Sequence, residues 1–222
     1  MIVTLDGPAG AGKSSAAKAL ARRLGFDFLD TGAMYRAVTL AALRAGVDLQ
    51  DQQALARLLD HFRLELPPGR VLLNGEDVTD AIRTMAVTNA SGAIANSRIV
   101  RQHLVGLQRA IAQDRNMVCE GRDQGTIVFP DALCKFFVIA DAIERARRRQ
   151  GEMARLGEMQ PLEEVLRAQE ERDRRDADRD IAPMVPAADA ITVDSTHQTL
   201  DQVVDRMEQK VRSRMAGEGV RG

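Results

Sequence analysis

A glycine-rich segment near the start of the chain has the composition of a phosphate-binding loop. Its residues, Gly7–Ser14, read GPAGAGKS and fit the spacing G-x-x-x-x-G-K-[ST]. Glycine lets successive backbone N–H groups approach an anion closely, while the ammonium of Lys13 can reach the outer phosphates and the hydroxyl of Ser14 can bind magnesium. An apolar run, Ile2–Asp6, precedes the segment and a helical pattern follows it, which is the context that this motif requires. The sequence therefore predicts a site for a nucleotide polyphosphate, and we expect solvent to reach Lys13.

A divalent ion bound beside the phosphates needs a carboxylate, directly or through water. Three predicted strands end in an acidic residue, at Asp6, Glu120 and Asp141. Asp6 borders the glycine-rich segment, and it ranks with Glu120 above Asp141. Magnesium is therefore predicted at Ser14 and Asp6, while the choice between Asp6 and Glu120 stays open at this point.

Arginine dominates the basic residues, since only four of the 31 lysines and arginines are lysine. The planar guanidinium suits bidentate recognition of phosphate and carboxylate groups. One group of arginines follows predicted strands or begins predicted helices, at Arg36, Arg101 and Arg122. A second group lies in the segment ERDRRDADRD, where spacings of four and three place Arg172, Asp176 and Arg179 on one helical face. These residues fit a ligand with both a phosphate and an amino group. A solvated helix with internal ion pairs is the alternative interpretation.

The elements that must position these residues alternate between strand and helix. Short apolar runs predict strands, and apolar residues at intervals of three and four predict helices that end at glycines such as Gly25 and Gly46. This order favours a parallel sheet with helices on both faces. Five core strands are predicted, over Ile2–Asp6, Phe26–Leu29, Met117–Cys119, Lys135–Ala140 and Ala190–Val193. Helices are predicted over Lys13–Leu24, Thr31–Ala45, Arg98–Asp114, Asp141–Arg155, Pro161–Arg175 and Thr199–Met215, followed by a frayed tail.

The pattern changes after about residue 50 to that of a small α+β insertion. Ala54–His61 predicts a helix, and three short strand candidates follow at Arg63–Leu66, Val71–Leu73 and Asp77–Val78. The turn sequences PPG and NGE separate these candidates. Asn-Gly favours a tight hairpin, so we expect one at this position.

Composition and absent motifs argue against several classes of protein. The net charge of −1 and the absence of tryptophan disfavour nucleic-acid binding. The longest apolar runs are too short to span a membrane, and MIVTLDG does not read as a secretory signal. None of the lysines stands in the [NT]-K-x-D element with which switch proteins read guanine. Cys119 and Cys134 lie in apolar runs and read as buried thiols of a cytoplasmic protein.

Five segments, spread over nearly the whole chain, share their order with one known family. They read LDGPAGAGKSS (5–15), LDTGAMYRA (29–37), LNGEDVTDAIRT (73–84), EGRDQGTIVFPDA (120–132) and ERDRRDADRDIAPMVPAADAI (171–191). On these segments the chain resembles the bacterial cytidylate kinases, which are nucleoside monophosphate kinases. The second and fourth segments are the most specific, whereas the first is shared with many families. The G-[FY]-P-R element expected of adenylate kinases is absent.

The resemblance implies a fold, a domain organisation and an activity. The fold would be α/β of the P-loop NTPase type, with a five-stranded parallel sheet flanked by helices. Residues 1–51 and 96–222 would form the core of a single domain, 52–95 the monophosphate-binding insertion and 145–160 a short helical lid. The activity would be ATP-dependent phosphorylation of CMP and dCMP, with Mg²⁺, by a cytoplasmic monomer that needs no protein, nucleic-acid or membrane partner.

The resemblance also implies roles for particular residues. The phosphates of ATP would be bound by Gly7, Pro8, Ala9, Gly10, Ala11, Gly12, Lys13, Ser14 and Ser15. The monophosphate would be bound by Thr31, Arg36, Ser91, Arg101, Arg122, Asp123, Arg172, Asp176 and Arg179. Within this second group, Asp176 and the nearby arginines would contact the cytosine edge, and Asp123 would contact the sugar. The residues that act on the transferring phosphoryl group would be Lys13, Arg122, Arg148 and Arg149.

Two positions depart from the family pattern. A serine that contacts the base falls, in an alignment without gaps, on Gly92, and Ser91 is the neighbouring candidate. Many members have Gly-Thr after the P-loop lysine, where this chain has Ser14–Ser15. Two alternatives stay open: a kinase for another small anionic acceptor, such as UMP or a hydroxy acid, and a nucleotide-binding switch without turnover.

Overall fold

The computed structural model describes residues 1–155 and 157–218 of the chain. In chain order, its strands and helices are β1 (Ile2–Asp6), α1 (Lys13–Leu24), β2 (Asp27–Asp30), α2 (Thr31–Arg44), α3 (Gln52–Leu59), β3 (Leu64–Glu65), β4 (Leu72–Leu73), β5 (Glu76–Asp77), α4 (Met85–Asn96), α5 (Arg98–Ala112), β6 (Met117–Glu120), β7 (Cys134–Ile139), α6 (Ala142–Arg155), α7 (Leu162–Ala177), β8 (Ile191–Asp194) and α8 (Leu200–Glu218). A 3-10 turn covers Ala81–Arg83, and a π-helical turn covers Gln124–Val128. None of the described helices is both long and apolar enough to cross a membrane.

The described residues form two compact units. The first contains Met1–Leu29 and the described residues from Ala112 onward, and the second contains Asp30–Ile111. The predicted insertion, 52–95, falls entirely within the second unit, and its bounds stay a prediction.

The first unit is built on a five-stranded parallel sheet with the strand order β2-β6-β1-β7-β8. Parallel pairing places Leu5 of β1 beside Glu120 of β6, and Asp6 of β1 beside Phe137 of β7. Because β1 is central, the turns that follow β1, β6 and β7 lie at the same edge of the sheet, where α/β proteins bind ligands. The predicted sheet of five parallel strands flanked by helices is confirmed.

Apolar side chains at helical spacing form the core of the first unit. Leu20 of α1 is fully buried, as are Val3 and Leu5 of the central strand and Met207 of α8. These residues belong to one cluster in which α1 packs against α8. Gly25, with φ +68°, ends α1 in the left-handed conformation that a helix C-cap favours, as its position predicted.

The second unit combines helices with a small antiparallel sheet, β3-β4-β5. Within it, α2 packs against α3 and α4. The turn between β4 and β5 consists of Asn74 and Gly75, whose φ values of 51° and 86° are both positive, and Leu73 pairs with Glu76 across it. This geometry suits the right-handed twist of a two-residue hairpin, so the predicted Asn-Gly hairpin is confirmed.

Helix α4, the 3-10 turn and the π-helical turn were not predicted from the sequence, while the bounds of the other elements differ by at most three residues. Helix α4 has the sequence MAVTNASGAIAN, in which small and apolar residues leave little amphipathic contrast. The π-helical turn has no periodicity by which a five-residue segment could be recognised. The tail expected after Met215 is helical as far as Glu218, and residues 219–222 lie outside the described residues.

Asp6 joins the end of β1 to the π-helical turn. Its carboxylate accepts hydrogen bonds from the backbone N–H groups of Gln124 at 2.9 Å and Gly125 at 2.7 Å. The turn lies so close to the sheet that a Cβ atom on Gly125 would come within 2.9 Å of the Thr4 Oγ1 atom. Burial raises the pKa of Asp6 to about 6, although both hydrogen bonds favour the ionised form. Asp6 therefore holds the segment that follows β6 against the sheet.

The raised pKa of Asp6 predicts a pH dependence of stability in the ligand-free protein. Between about pH 4 and pH 6 the native carboxyl keeps a proton that the unfolded chain, with a pKa near 3.8, has lost. The native state then binds more protons, so the contribution of Asp6 to the free energy of unfolding falls as the pH rises through this window, by up to about 3 kcal/mol. Urea unfolding of the wild type and of Asp6→Asn should show this, because the free energy of unfolding of the wild type, measured relative to that of the variant, falls from pH 4 to pH 6. A difference that is independent of pH would contradict the prediction.

Candidate active site

The glycines of the Gly7–Ser14 loop adopt backbone conformations that other residues rarely reach. Gly10 and Gly12 have φ values of +75° and +83°. A Cβ atom on Gly7 would lie 2.1 Å from the carbonyl oxygen of Val138 in β7, so this position has no room for a side chain. The loop leads directly into α1, whose first-turn N–H groups and dipole favour an anion. The conformation is that of a phosphate cradle, as the motif predicted.

Lys13 is buried, with only 5% of its surface exposed, so the expectation that solvent reaches it is wrong. Its ammonium donates a hydrogen bond to the carbonyl of Pro8 at 2.6 Å. Burial lowers the pKa of Lys13, and the positive charges of Arg122 and Arg172 lower it further, while the carboxylates of Glu120 and Asp6 act in the opposite direction. The ammonium of Lys13 therefore lies near two further positive charges, and an additional anion beside it would be stabilised.

The hydroxyl of Ser14 donates a hydrogen bond to the Oε2 atom of Glu120 at 2.7 Å. A hydroxyl and a carboxylate are the hard oxygen donors that Mg²⁺ prefers, so this pair fits the ion that the motif implies. Both oxygens of Asp6 accept backbone hydrogen bonds from the π-helical turn instead. The structure therefore favours Glu120 over Asp6 as the carboxylate beside Ser14.

Asp176 is buried between two guanidinium groups. Its Oδ2 atom accepts a hydrogen bond from Arg122 Nε at 3.1 Å, and its Oδ1 atom accepts one from Arg179. The side chain of Asp176 is 6% exposed and that of Arg179 is 10% exposed, which excludes a pair on a solvated surface. Helix α7 ends at Ala177, so Arg179 lies beyond the helix and not on its face as predicted. The structure thus brings together Arg122, Asp176 and Arg179, from segments 54 residues apart.

Two further predicted ligand residues belong to the first unit. Asp123 is buried three residues after the end of β6, and its charge raises the pKa of Asp6. Arg172 lies on α7 close enough to Lys13 for its charge to lower the pKa of that lysine. Their predicted contacts with the sugar and the phosphate stay predictions.

The second unit holds its own predicted ligand residues. Asp30 caps α2 by accepting a hydrogen bond from the N–H of Ala33 at 2.8 Å, and it lies 3.6 Å from the guanidinium of Arg36. A Cβ atom on Gly32 would come within 3.2 Å of both side chains, so this glycine leaves them room. The buried Thr31 is the first residue of the helix. The sequence DTGAMYR is therefore a helix start that orients an arginine.

Arg101 and Ser91 lie elsewhere in this second unit. The guanidinium of Arg101 stacks over the ring of Tyr35 at 5.8 Å, and the residue is 5% exposed. A cation on an aromatic face is held in orientation as well as in place. Ser91 lies in α4, where its hydroxyl donates to the carbonyl of Thr88 at 2.8 Å. The base contact expected of Ser91 or Gly92 stays a prediction.

The two predicted lid arginines differ in how firmly they are held. Arg148 donates to the carbonyl of Ser195 at 2.8 Å and to Glu144 at 3.1 Å. It lies beside the phosphate loop, since a Cβ atom on Gly12 would be 3.7 Å from its Nη1 atom. Arg149 contacts Glu152 on the next turn at 3.4 Å, and 33% of its side chain is exposed. Their catalytic roles stay predictions.

Sequence reasoning missed several residues that contact the phosphate loop. Ser195, which follows β8, donates a hydrogen bond to the carbonyl of Ala11 at 2.9 Å. Arg145, Gln169 and Asp173 contact the tip of the loop from α6 and α7. All three lie in strongly charged helical segments, where one buried polar side chain cannot be distinguished from its solvated neighbours by residue type.

The family model and the curated relatives agree on one family. Residues 3–213 match the family model described as cytidylate kinase. A cytidylate kinase of Citrifermentans bemidjiense is 46% identical over 220 residues, which cover 97% of this chain and 94% of that protein. A cytidylate kinase of Geobacillus kaustophilus is 45% identical over 217 residues, covering 96% of this chain and 97% of that protein.

Among solved structures, the crystal structure of an uncharacterized protein from Eubacterium ventriosum is similar with a TM-score of 0.52. Its sequence is 13% identical, and the match covers 96% of this chain and 99% of that one. This likeness concerns the fold alone. The family model and the relatives, in contrast, extend over nearly the full length of the sequence, and on that basis the chain belongs to the cytidylate kinase family.

Proposed function

We propose that this chain transfers the γ-phosphoryl group of ATP to CMP and dCMP, giving ADP and CDP or dCDP. The observation that carries the proposal is the position of Arg122. This arginine donates to the buried carboxylate of Asp176, and its charge also lowers the pKa of Lys13 in the phosphate cradle. Arg122 therefore lies near two groups with different roles: Asp176, which is suited to recognising a base, and Lys13, which would bind the phosphates. Membership of the cytidylate kinase family favours this activity over the two alternatives left open by the sequence.

Transfer needs positioning and charge stabilisation more than covalent chemistry. An oxygen of the acceptor phosphate forms a bond to the γ-phosphorus while the bond from that phosphorus to the β–γ bridging oxygen breaks, and ADP leaves. The acceptor phosphate is already ionised, so no strong general base is required. The backbone N–H groups of the phosphate loop and the ammonium of Lys13 stabilise the charge on the donor phosphates. Arg122 and Arg172, which lie close to this ammonium, are proposed to stabilise charge as it moves to the acceptor.

Mg²⁺ would be held by Ser14 with Glu120 beside it, and it would neutralise charge on the phosphates of ATP. The hydrogen bond between these two side chains keeps both oxygens in one place before the ion binds.

Choice of the base is assigned to Asp176. A carboxylate accepts a hydrogen bond from the exocyclic amino group of cytosine, whereas uracil presents a carbonyl oxygen at that position. Arg122 and Arg179 hold the carboxylate in one orientation, and its remaining lone pairs can accept hydrogen bonds from the base. The predicted contacts of Thr31, Arg36, Ser91, Arg101 and Asp123 with the monophosphate are part of the same proposal.

Release of ADP in the presence of ATP, Mg²⁺ and a panel of nucleoside monophosphates tests the function directly. We expect kcat/KM to be highest for CMP and dCMP and lower for UMP. A protein that binds ATP but releases no ADP with any acceptor would support a switch without turnover. Preference for a hydroxy acid would support the other alternative.

Replacement of Lys13 separates catalysis from stability. We expect Lys13→Met to lower kcat by about 10²–10³, the usual cost of removing one preorganised charge-stabilising donor. The free energy of unfolding should not fall, because burial disfavours the charged form of this lysine. Lys18→Met, an exposed position on α1, serves as the matched control and should keep normal turnover. Steady-state kinetics and urea unfolding of both variants provide the measurements, and normal turnover in folded Lys13→Met would refute the role of Lys13.

Replacement of Asp176 tests how the base is read. The amide in Asp176→Asn can turn to donate a hydrogen bond, so the preference for CMP over UMP in kcat/KM should narrow by about 1–3 kcal/mol. Arg179→Ala removes a positive charge but leaves the hydrogen-bonding groups that face the base largely unchanged. We therefore expect it to lower kcat/KM for CMP and for UMP by similar factors. Asp178→Asn makes the same chemical change at an exposed position two residues away and should leave the preference unchanged. If Asp176→Asn leaves the ratio of the two kcat/KM values unaltered, the base is read elsewhere, for example around Ser91.

A further inference from the structure

The tip of the phosphate loop is held at both backbone polar groups of one residue, Ala9. The N–H of Ala9 donates to the Oδ1 atom of Asp173 at 3.3 Å, and the carbonyl of Ala9 accepts from Arg145 Nη1 at 3.1 Å. Arg145 and Asp173 also form an ion pair with each other. The three residues therefore close a ring of hydrogen bonds in which both polar groups of Ala9 are occupied.

The surroundings make this ring rigid. The side chains of Arg145 and Asp173 are only 9% and 16% exposed, so water competes little for their charges. The Nε atom of Arg145 donates to the carbonyl of Ala140 at 3.1 Å, which fixes the guanidinium to the end of β7. A Cβ atom on Gly10 would lie 2.9 Å from Gln169 Nε2 and 3.1 Å from the carbonyl oxygen of Arg145. Helices α6 and α7 thus press directly on the loop at the residue after Ala9.

We propose that Arg145 and Asp173 are positioning residues that set the conformation of the phosphate loop for ATP. The N–H of Ala9 faces a carboxylate, so it is not directed at phosphates, and the N–H groups that follow it are the ones left for the ligand. Fixing the two peptide units that flank Ala9 limits the conformations of the glycines after it, which otherwise have the widest backbone freedom of any residue. Arg145 and Asp173 do not touch the reacting atoms and act through Ala9.

Kinetics can separate this role from general stability. The inference rests on the proposed function, since it assumes that ATP occupies the loop. We expect Arg145→Gln, Asp173→Asn and the double variant each to raise KM for ATP by about tenfold, the scale of one lost charge-assisted hydrogen bond. KM for CMP should change less than twofold. Because both residues act as one unit, KM for ATP in the double variant should be no higher than in the more affected single variant.

The experiment combines steady-state kinetics with calorimetric titration of ATP and Mg²⁺ and with thermal unfolding. Either single variant leaves a buried charge without its partner and can fail to fold, so the double variant, which removes both charges, is the decisive protein. Arg167→Gln and Glu170→Gln, both at exposed positions on α7, are the matched controls and should bind ATP normally. Arg145→Lys keeps the charge but has no fork with which to reach Ala9, Asp173 and Ala140 together, so it should remain impaired.

Normal ATP affinity in the folded double variant would overturn the proposal, and so would full rescue by Arg145→Lys or an equal rise of KM for both substrates. Failure of the proposed function has a different signature. In that case the wild type would show no phosphorylation of CMP, while calorimetry would still report on whether the variants weaken ATP.

Discussion

The rest of this structure depends on one constraint: the phosphate site must bury several positive charges even when no anionic ligand is bound. The ammonium of Lys13 is almost completely shielded from water, and two guanidinium groups lie close enough to lower its pKa. An isolated buried charge would be prohibitive, so carboxylates must lie nearby. Glu120 and Asp6 meet this requirement because they end neighbouring strands of the parallel sheet. The site can therefore fold while empty and still favour a polyphosphate when one is available.

The same balance extends outward from the loop. Arg122 turns toward Asp176, and Arg179 reaches the same carboxylate from beyond the end of α7. A carboxylate that already accepts two charge-assisted hydrogen bonds is fixed in direction. Arg122 is thus oriented by Asp176, and Asp176 is held in turn by Arg179. Because these side chains are fixed in orientation, the site favours a ligand whose shape matches them over other anions.

Elements that depend on local residue patterns could be predicted from the sequence, whereas contacts between distant side chains could not. The phosphate loop, the five strands and the Asn-Gly hairpin each follow from a local pattern, since glycine spacing, apolar runs and turn residues act within a few positions of themselves. Burial of Lys13 and the pairing of Arg122 with Asp176 depend on residues more than 50 positions apart, so no local pattern reports them. Arg145 and Asp173 lie among many other charged residues of α6 and α7, and only the packing of those helices against Ala9 distinguishes them. The resemblance to cytidylate kinases supplied Asp176 and Arg179 as ligand residues, but it did not place Arg179 outside the helix.

The central position of β1 has a consequence for how the chain is made. This strand is synthesised well before its partner strands, since Ile2 pairs with Met117 and Val3 pairs with Cys134. At about 5–20 residues per second, a ribosome needs roughly 6 to 23 s to deliver the nearer partner. During that time an apolar strand with unpaired edges is exposed, which is the kind of segment that aggregates or binds a chaperone. The strand that leads into the phosphate loop is thus the strand with the longest delay between its own synthesis and that of its pairing partners.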